Sequence, residues 1–190
     1  MSKIFTNDWF NGRIPYFDHF LSSKDWSNSN FLEIGSYEGN SACYILDKFK
    51  PKTLTCIDMW VPIHEHSSTD MQQVEQRFDS NTEEWKDKVI KRKGDSFTIN
   101  TSDLHNPNHL TYDFIYIDGG HTVLNVLEDF IPSFRLANSG AIIAFDDYKW
   151  GIELDLHQRP EMGINACLLA YKDLITILHI DEGQVWIKKN

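Results

Sequence analysis

Phe31-Leu32-Glu33-Ile34-Gly35-Ser36-Tyr37-Glu38-Gly39-Asn40 is the stretch that decides the reading of this chain. Its apolar opening is too short for a helix and long enough for a buried strand, and Gly35 ends it with a turn. Past Gly39 a helical pattern opens over residues 41–49, with Ala42, Ile45 and Leu46 on one face. Strand, glycine turn and helix make the first half of a βαβ unit, and in a doubly wound sheet that turn lies where ligands bind. The spacing is acidic-x-Gly-x-x-x-Gly, whereas a pyrophosphate-binding turn reads Gly-x-Gly-x-x-Gly. A carboxylate at the strand end repels phosphate and attracts a cationic amino group.

Outward from this unit the pattern repeats. Strands are predicted at residues 31–34, 53–59, 89–94, 113–117 and 140–145, alternating with helices at 41–49, 71–85, 97–104, 123–136 and 162–174. The helix over 123–136 is the clearest, with Val123, Val126, Leu127, Phe130 and Ile131 on one side. Strands at 175–180 and 184–188 form a hairpin across Asp181-Glu182-Gly183. The alternation implies parallel pairing and the hairpin one reversed strand. The expected fold is therefore α/β, a doubly wound, seven-stranded, mostly parallel sheet with its last strand antiparallel. Upstream, Trp9, Phe10, Ile14, Phe17, Phe20 and Leu21 recur at helical spacing, giving one or two short helices over the core or a cleft. No linker or repeat divides the chain, so residues 1–190 read as a single domain, with 1–29 as an N-terminal helical cover and 30–190 as the core.

Two further classes of partner fit poorly. The net charge is −10, and the small cluster Lys88, Lys91, Arg92 and Lys93 reads as a solvated strand entry, so a duplex nucleic acid partner is not expected. No apolar run is long enough to span a membrane, and residues 1–10 lack the pattern of a secretory signal. Cys43, Cys56 and Cys167 are odd in number, scattered and without metal-ligand spacing, as reduced thiols of a cytoplasmic protein are. A small-molecule substrate is the expected partner; whether the chain forms a homo-oligomer is open.

Acidic residues end the other strands. Asp58 lies 25 positions after Glu33, where a carboxylate can accept from both ribose hydroxyls or can cap a turn. After the third strand, Gly94-Asp95-Ser96-Phe97 either borders an adenine through Asp95 and Ser96 or caps the next helix. The fourth strand runs Ile115-Tyr116-Ile117-Asp118-Gly119-Gly120-His121, and the fifth ends Ala144-Phe145-Asp146-Asp147-Tyr148. If those strands are neighbours, Asp118, Asp146 and Asp147 meet. Three carboxylates repel one another unless a cation sits between them, and a hard divalent ion, magnesium by default, suits oxygen ligands. The same acids also suit a plain capped turn.

Leu32-Glu33-Ile34-Gly35, Tyr116-Ile117-Asp118-Gly119-Gly120-His121 and Phe145-Asp146-Asp147-Tyr148 resemble methyltransferase family 24. They are also similar to the metal-dependent O-methyltransferases of macrolide, aminocoumarin and cephamycin biosynthesis, and more distantly to catechol O-methyltransferase. The resemblance implies a class I, Rossmann-like fold and S-adenosyl-L-methionine held by Glu33, Gly35, Ser36, Gly39, Asp58, Met59, Asp95, Ser96 and Asp118. It implies Mg2+ on Asp118, Asp146 and Asp147, with a substrate carrying neighbouring hydroxyls. In the catechol-type relatives a lysine three positions after the first metal-ligating aspartate removes the hydroxyl proton. That offset lands on His121, and the acid the macrolide type uses is replaced by Gly120. His121 is thus the candidate base beside Asp118, with a helix cap as its plain alternative.

Other residues carry less. His64-Glu65-His66 reads as a loop able to overhang the site, and Trp60, Tyr148 and Trp150 as aromatics that wall it or belong to the core. Three other activities compete with O-methylation. A metal-free N- or C-methyltransferase keeps the same cofactor loop. A nicotinamide-dependent oxidoreductase needs different glycine spacing. A non-catalytic module has no need of Glu33, Gly35, Gly39 and Asp58 together.

Overall fold

The apolar runs become strands because the sheet buries both of their faces. The computed structural model describes residues 3–62 and 69–190, so His64, Glu65 and His66 lie outside the described residues. The strands are β1 Asn30–Ile34, β2 Thr53–Asp58, β3 Val89–Lys93, β4 Tyr112–Ile117, β5 Ala137–Phe145, β6 Ile175–Ile180 and β7 Val185–Lys189. The helices are α1 Ile14–Leu21, α2 Asn40–Lys48, α3 Met71–Thr82, α4 Ser96–Leu104, α5 Val123–Leu136 and α6 Pro160–Ala170.

The sheet order is β3-β2-β1-β4-β5-β7-β6. Strands β1 to β5 pair in parallel, and β7 runs antiparallel to both β5 and β6. This is the expected seven-stranded sheet with β7 reversed. The chain builds outward from β1 to β3, then crosses to β4 on the other side. The switch point is therefore the gap between β1 and β4, where ligands bind in such sheets.

Period-two alternation divides the core. Leu32, Ile34, Ile115, Ile117, Ile143 and Phe145 meet Phe130, Phe134 and Ile164 from α5 and α6. Phe31, Phe114, Tyr116 and Trp186 meet Phe17, Leu21, Ile45, Leu46, Val74 and Phe78 from α1, α2 and α3. The N-terminal helix is part of this second layer: Phe17 is fully buried and edge-on to Phe114, Tyr116 and Trp186 at 5.7, 5.0 and 5.2 Å.

Most boundaries fall within a residue of those expected; helix α3 stops at Thr82, before a 3-10 turn at Glu83–Trp85, and β5 and α6 differ further. β5 starts at Ala137, directly after α5, because Ala137 pairs with Tyr112 before a register shift brings Ile142 opposite Phe114. The polar Asn138-Ser139-Gly140 leading into the expected strand is this bulge, turned by Gly140 at φ 81°. Helix α6 starts earlier, on Pro160 in its first turn, and stops at Ala170.

The strand ends are stitched side by side. The amide of Gly35 donates to the Ile57 carbonyl, that of Asp118 to Ile34, and that of Asp146 to Ile117, each at 2.9 Å. These bonds carry the ladder one residue past each strand and set the β1, β4 and β5 loops in a row.

Candidate active site

The β1–α2 turn has a left-handed Gly35 at φ 88°, and a Cβ there would lie 1.9 Å from the Asp118 carbonyl oxygen. Only a glycine lets the backbones of the β1 and β4 loops come so close. Gly39, at φ 80°, is the N-terminal cap of α2. Between them, the carboxylate of Asp58 accepts from the Tyr37 amide at 2.8 Å and the Trp60 amide at 2.7 Å, and the Trp60 indole donates to the Tyr37 carbonyl at 2.9 Å. Asp58 thus fixes both the β1–α2 turn and the loop that follows β2. Met59, next to it, is exposed.

Glu33 is fully buried beneath the turn. Among the described residues neither of its carboxylate oxygens completes a hydrogen bond, nor does the buried Ser36 hydroxyl beside it. Burial pushes the Glu33 pKa up, against the pull of the neighbouring Ser36, Ser41 and Cys56. This residue underpins the loop rather than lying open to a ligand.

Asp95 and Ser96 take up the roles their plain reading allowed. Asp95 caps α4 by accepting from the Thr98 amide at 2.8 Å. The Ser96 hydroxyl donates to Asp129, a buried carboxyl on α5.

At the neighbouring strand ends Asp146 and Asp147 face a cation that sequence reasoning missed, and Asp118 feels the charge of both. Arg13, in the short 3-10 turn ahead of α1, brings Nε to 2.8 Å from Asp146 Oδ1 and Nη2 to 3.3 Å from Asp147 Oδ1. Asp146 also accepts from the Tyr116 hydroxyl and, at 2.8 Å, from the Asp147 amide. Asp147 holds an unusual left-handed φ of 58° and meets His121 Nε2 at 3.0 Å. The His121 ring stacks on Trp150 with centroids 4.2 Å apart.

The electrostatics follow from this arrangement. Burial, then the charge of Asp147, raises the Asp146 pKa to about 6, against the pull of Arg13. Burial, then Asp146 and Asp147, drives that of Asp118 well above the carboxylate range. Burial works against the Arg13 charge, and the two facing carboxylates outweigh it. Helix α5 is capped by Thr122, which accepts from the Asn125 amide, so His121 does not serve as that cap.

These donors test the expected metal. Both oxygens of Asp146 and both of Asp147 already face Arg13, Tyr116, His121 or an amide. Among the described residues no group of three or more His, Cys, Asp or Glu side chains is arranged to hold a metal ion. The acids as set here do not fit a divalent cation. Arg13 had one sequence signal, being the only charged residue between Asp8 and Asp18.

The N-terminal segment crosses both halves of the site. The Ile4 amide donates to Asn81 Oδ1 and its carbonyl accepts from Asn81 Nδ2, and Thr6 donates to Glu38 through its amide and hydroxyl. Arg77 pairs with the same Glu38, and Trp9 packs on Tyr37 at 5.0 Å.

A family model described as a methyltransferase domain matches residues 32–148, from the strand before Gly35 to the loop after β5. The chain belongs to this methyltransferase family. No curated protein matches it. Among solved structures, this methyltransferase is similar to an O-methyltransferase from Bacillus cereus in complex with SAH (17% identity, TM-score 0.68, covering 97% of this chain and 84% of that one). It is also similar to the O-methyltransferase TomG from Streptomyces achromogenes in complex with SAM (17%, TM-score 0.62, 86% and 74%). A third is MycE of mycinamycin biosynthesis, in complex with Mg, SAH and mycinamycin VI (16%, TM-score 0.64, 99% and 51%). This methyltransferase spans about half the length of MycE. At these identities the likeness is one of fold.

Proposed function

We propose that this methyltransferase transfers the methyl group of S-adenosylmethionine to a hydroxyl of a small molecule, with His121 as the base. The observation that carries the reading is Asp58. In a chain of this family, its two oxygens are aligned by the Tyr37 and Trp60 amides at the crevice beside the glycine turn. A carboxylate held at the end of β2 is the acceptor type that suits a vicinal diol such as a ribose. The glycine-permitted contact of Gly35 with Asp118 supports a bound cofactor at the β1–β4 gap, with Gly39, Ser36 and Met59 along its edge. Asp95 and Ser96 then border the adenine by their backbone, since their side chains serve Thr98 and Asp129.

When bound, the cofactor supplies an already activated methyl on its sulfonium. The protein's task is to orient the acceptor, exclude water and take one proton. His121 has Nε2 on Asp147 at 3.0 Å, and that contact orients the imidazole for proton transfer. Asp147 fixes the ring, and its charge stabilises the imidazolium formed. Trp150 closes one face of the imidazole. The magnesium expected from the resemblance is not part of this proposal, because the oxygens of Asp146 and Asp147 are already engaged. The three cysteines are free and buried, and no described helix is long and apolar enough to cross a membrane; both agree with a cytoplasmic enzyme.

Calorimetric titration with S-adenosylhomocysteine tests the cofactor half. Asp58→Ala removes charge-assisted hydrogen bonds worth about 1.5–3 kcal/mol each and weakens binding by at least tenfold. Unchanged binding in that variant rejects the assignment, and competition by NADH favours an oxidoreductase. Labelled methyl donor offered to hydroxyl and amine panels tests the other half: transfer to amines alone rejects O-methylation.

A further inference from the structure

Arg13 stands in the position the acid trio leaves for a cation, and the chain is shaped to put it there. Its guanidinium lies against Asp146 on one side and Asp147 on the other, with Asp118 and Tyr116 contributing to its electrostatic surroundings. On the outer side lies Gly183, in the β6–β7 turn. A Cβ at 183 would fall 2.5 Å from Arg13 Nη1 and 3.3 Å from Cζ. Gly183 is not among the residues with positive φ, so its backbone does not itself demand glycine. The space a side chain would fill is taken by the guanidinium. The same turn is tied to the β5 loop, its Gly183 and Glu182 carbonyls accepting from the amides of Tyr148 and Lys149 at 3.0 Å each.

We propose that Arg13 is the resident cation of the reaction site and a positioning residue for His121. It neutralises Asp146 and Asp147, and through Asp147, bonded to His121 Nε2, it holds the imidazole against Trp150. A guanidinium suits this task because its planar fork faces two carboxylates at once and cannot be titrated away. While it is seated, the acids have little affinity for a divalent metal. Removing it leaves buried carboxylates without compensation, and a hard ion with oxygen preference then takes its place.

The inference rests on the proposed function only in calling this the reaction site, and its test is read without methyl donor or acceptor. Titration with Mn2+ alone, followed by calorimetry and by the loss of free-ion electron spin resonance, compares the parent with Arg13→Ala, Arg13→Lys and Gly183→Ala. The parent is expected to bind no Mn2+ stoichiometrically at submillimolar concentration. Arg13→Ala should gain one site, at least tenfold tighter, that disappears in Arg13→Ala/Asp146→Asn. Arg13→Lys should restore the parent's behaviour. Gly183→Ala displaces only the tip of a side chain, so it folds and should raise Mn2+ affinity on its own, even if Arg13→Ala proves unstable. Equal Mn2+ affinity in the parent and in Arg13→Ala overturns the proposal, and so does no gain in either Arg13→Ala or Gly183→Ala. S-adenosylhomocysteine titration of the same variants separates the two readings: retained binding with no change in Mn2+ affinity sinks the Arg13 inference alone.

Discussion

Asp129 carries a stability cost that depends on pH and can be isolated with one substitution. Its side chain is almost wholly buried between α4 and α5, and it accepts from the Ser96 hydroxyl. Its other neighbours offer no relief: a Cβ on Gly119 would lie 2.6 Å from Oδ2, and the nearby charges are Asp95 and Glu128. Burial, only partly offset by Ser96, raises its pKa to about 7. The folded protein therefore binds this proton more tightly than the unfolded chain, whose Asp titrates near 3.9. Below about pH 4 both states are protonated and the group is neutral for stability. Between about pH 4 and 7 the unfolded chain ionises while the fold holds its proton, so stability falls by about 1.4 kcal/mol per pH unit. Above pH 7 both are ionised and the loss levels off at about 4 kcal/mol, from a shift of about three units.

Asp129→Asn keeps an acceptor for Ser96 and cannot ionise. Urea unfolding of the parent and this variant at pH 4, 6, 7 and 8, skirting the sequence pI near 5.1, should give a difference that grows with pH. The variant should be the more stable by about 3–4 kcal/mol at pH 8 and indistinguishable at pH 4. Contributions from Asp118 and Asp146, which have the same sign, cancel in the difference. A constant offset across this range, or a parent that is the more stable at pH 8, would falsify the account.

Other substitutions address separate links. Gly35→Ala forces a Cβ into the Asp118 carbonyl at an unfavourable φ, and denaturant melts should show a loss of about 3 kcal/mol or more. His121→Ala should lower methyl transfer by a factor on the order of 10²–10⁴ in a labelled-methyl assay while melting near the parent temperature. Thr122→Ala should do the reverse, costing roughly 0.5–2 kcal/mol in urea unfolding through loss of the α5 cap with the rate kept. Phe17→Ala should cost about 3–5 kcal/mol in the same measurement, because three rings pack on it.

What the sequence disclosed follows the range over which its signals act. The sheet, its reversed strand and the hairpin came from periodicity and turn residues, which operate within about ten positions. Gly35, Gly39 and Asp58 were legible because each answers to the geometry of the strand it ends. Asp95 shows the limit: the same side chain satisfies a cap and an adenine site, and only the Thr98 amide shows which bond it makes in the structure. Glu33 shows another, since a strand-end acid looks ligand-facing until the pleat turns it inward beneath the loop. Arg13 was out of reach for a different reason. It meets Asp147 across 134 positions, and no local rule connects a turn before α1 with the end of β5. Electrostatics alone demanded a cation for the trio; the fold supplied an organic one.

The close approach of Gly35 to Asp118 has a consequence for how such a chain can diversify. Main chain meets main chain there, so the spacing between the β1 and β4 loops is set by peptide geometry and not by any replaceable side chain. The residues around the acids are of another kind: Tyr148 and Trp150 sit on the β5 loop, where Trp150 stacks on His121, and both reach the site as side chains. Mutations that reshape the acceptor's surroundings therefore leave the registry of the two loops untouched. Libraries aimed at new acceptors should be drawn from those two side chains, with the glycine and its facing carbonyl held constant as the frame.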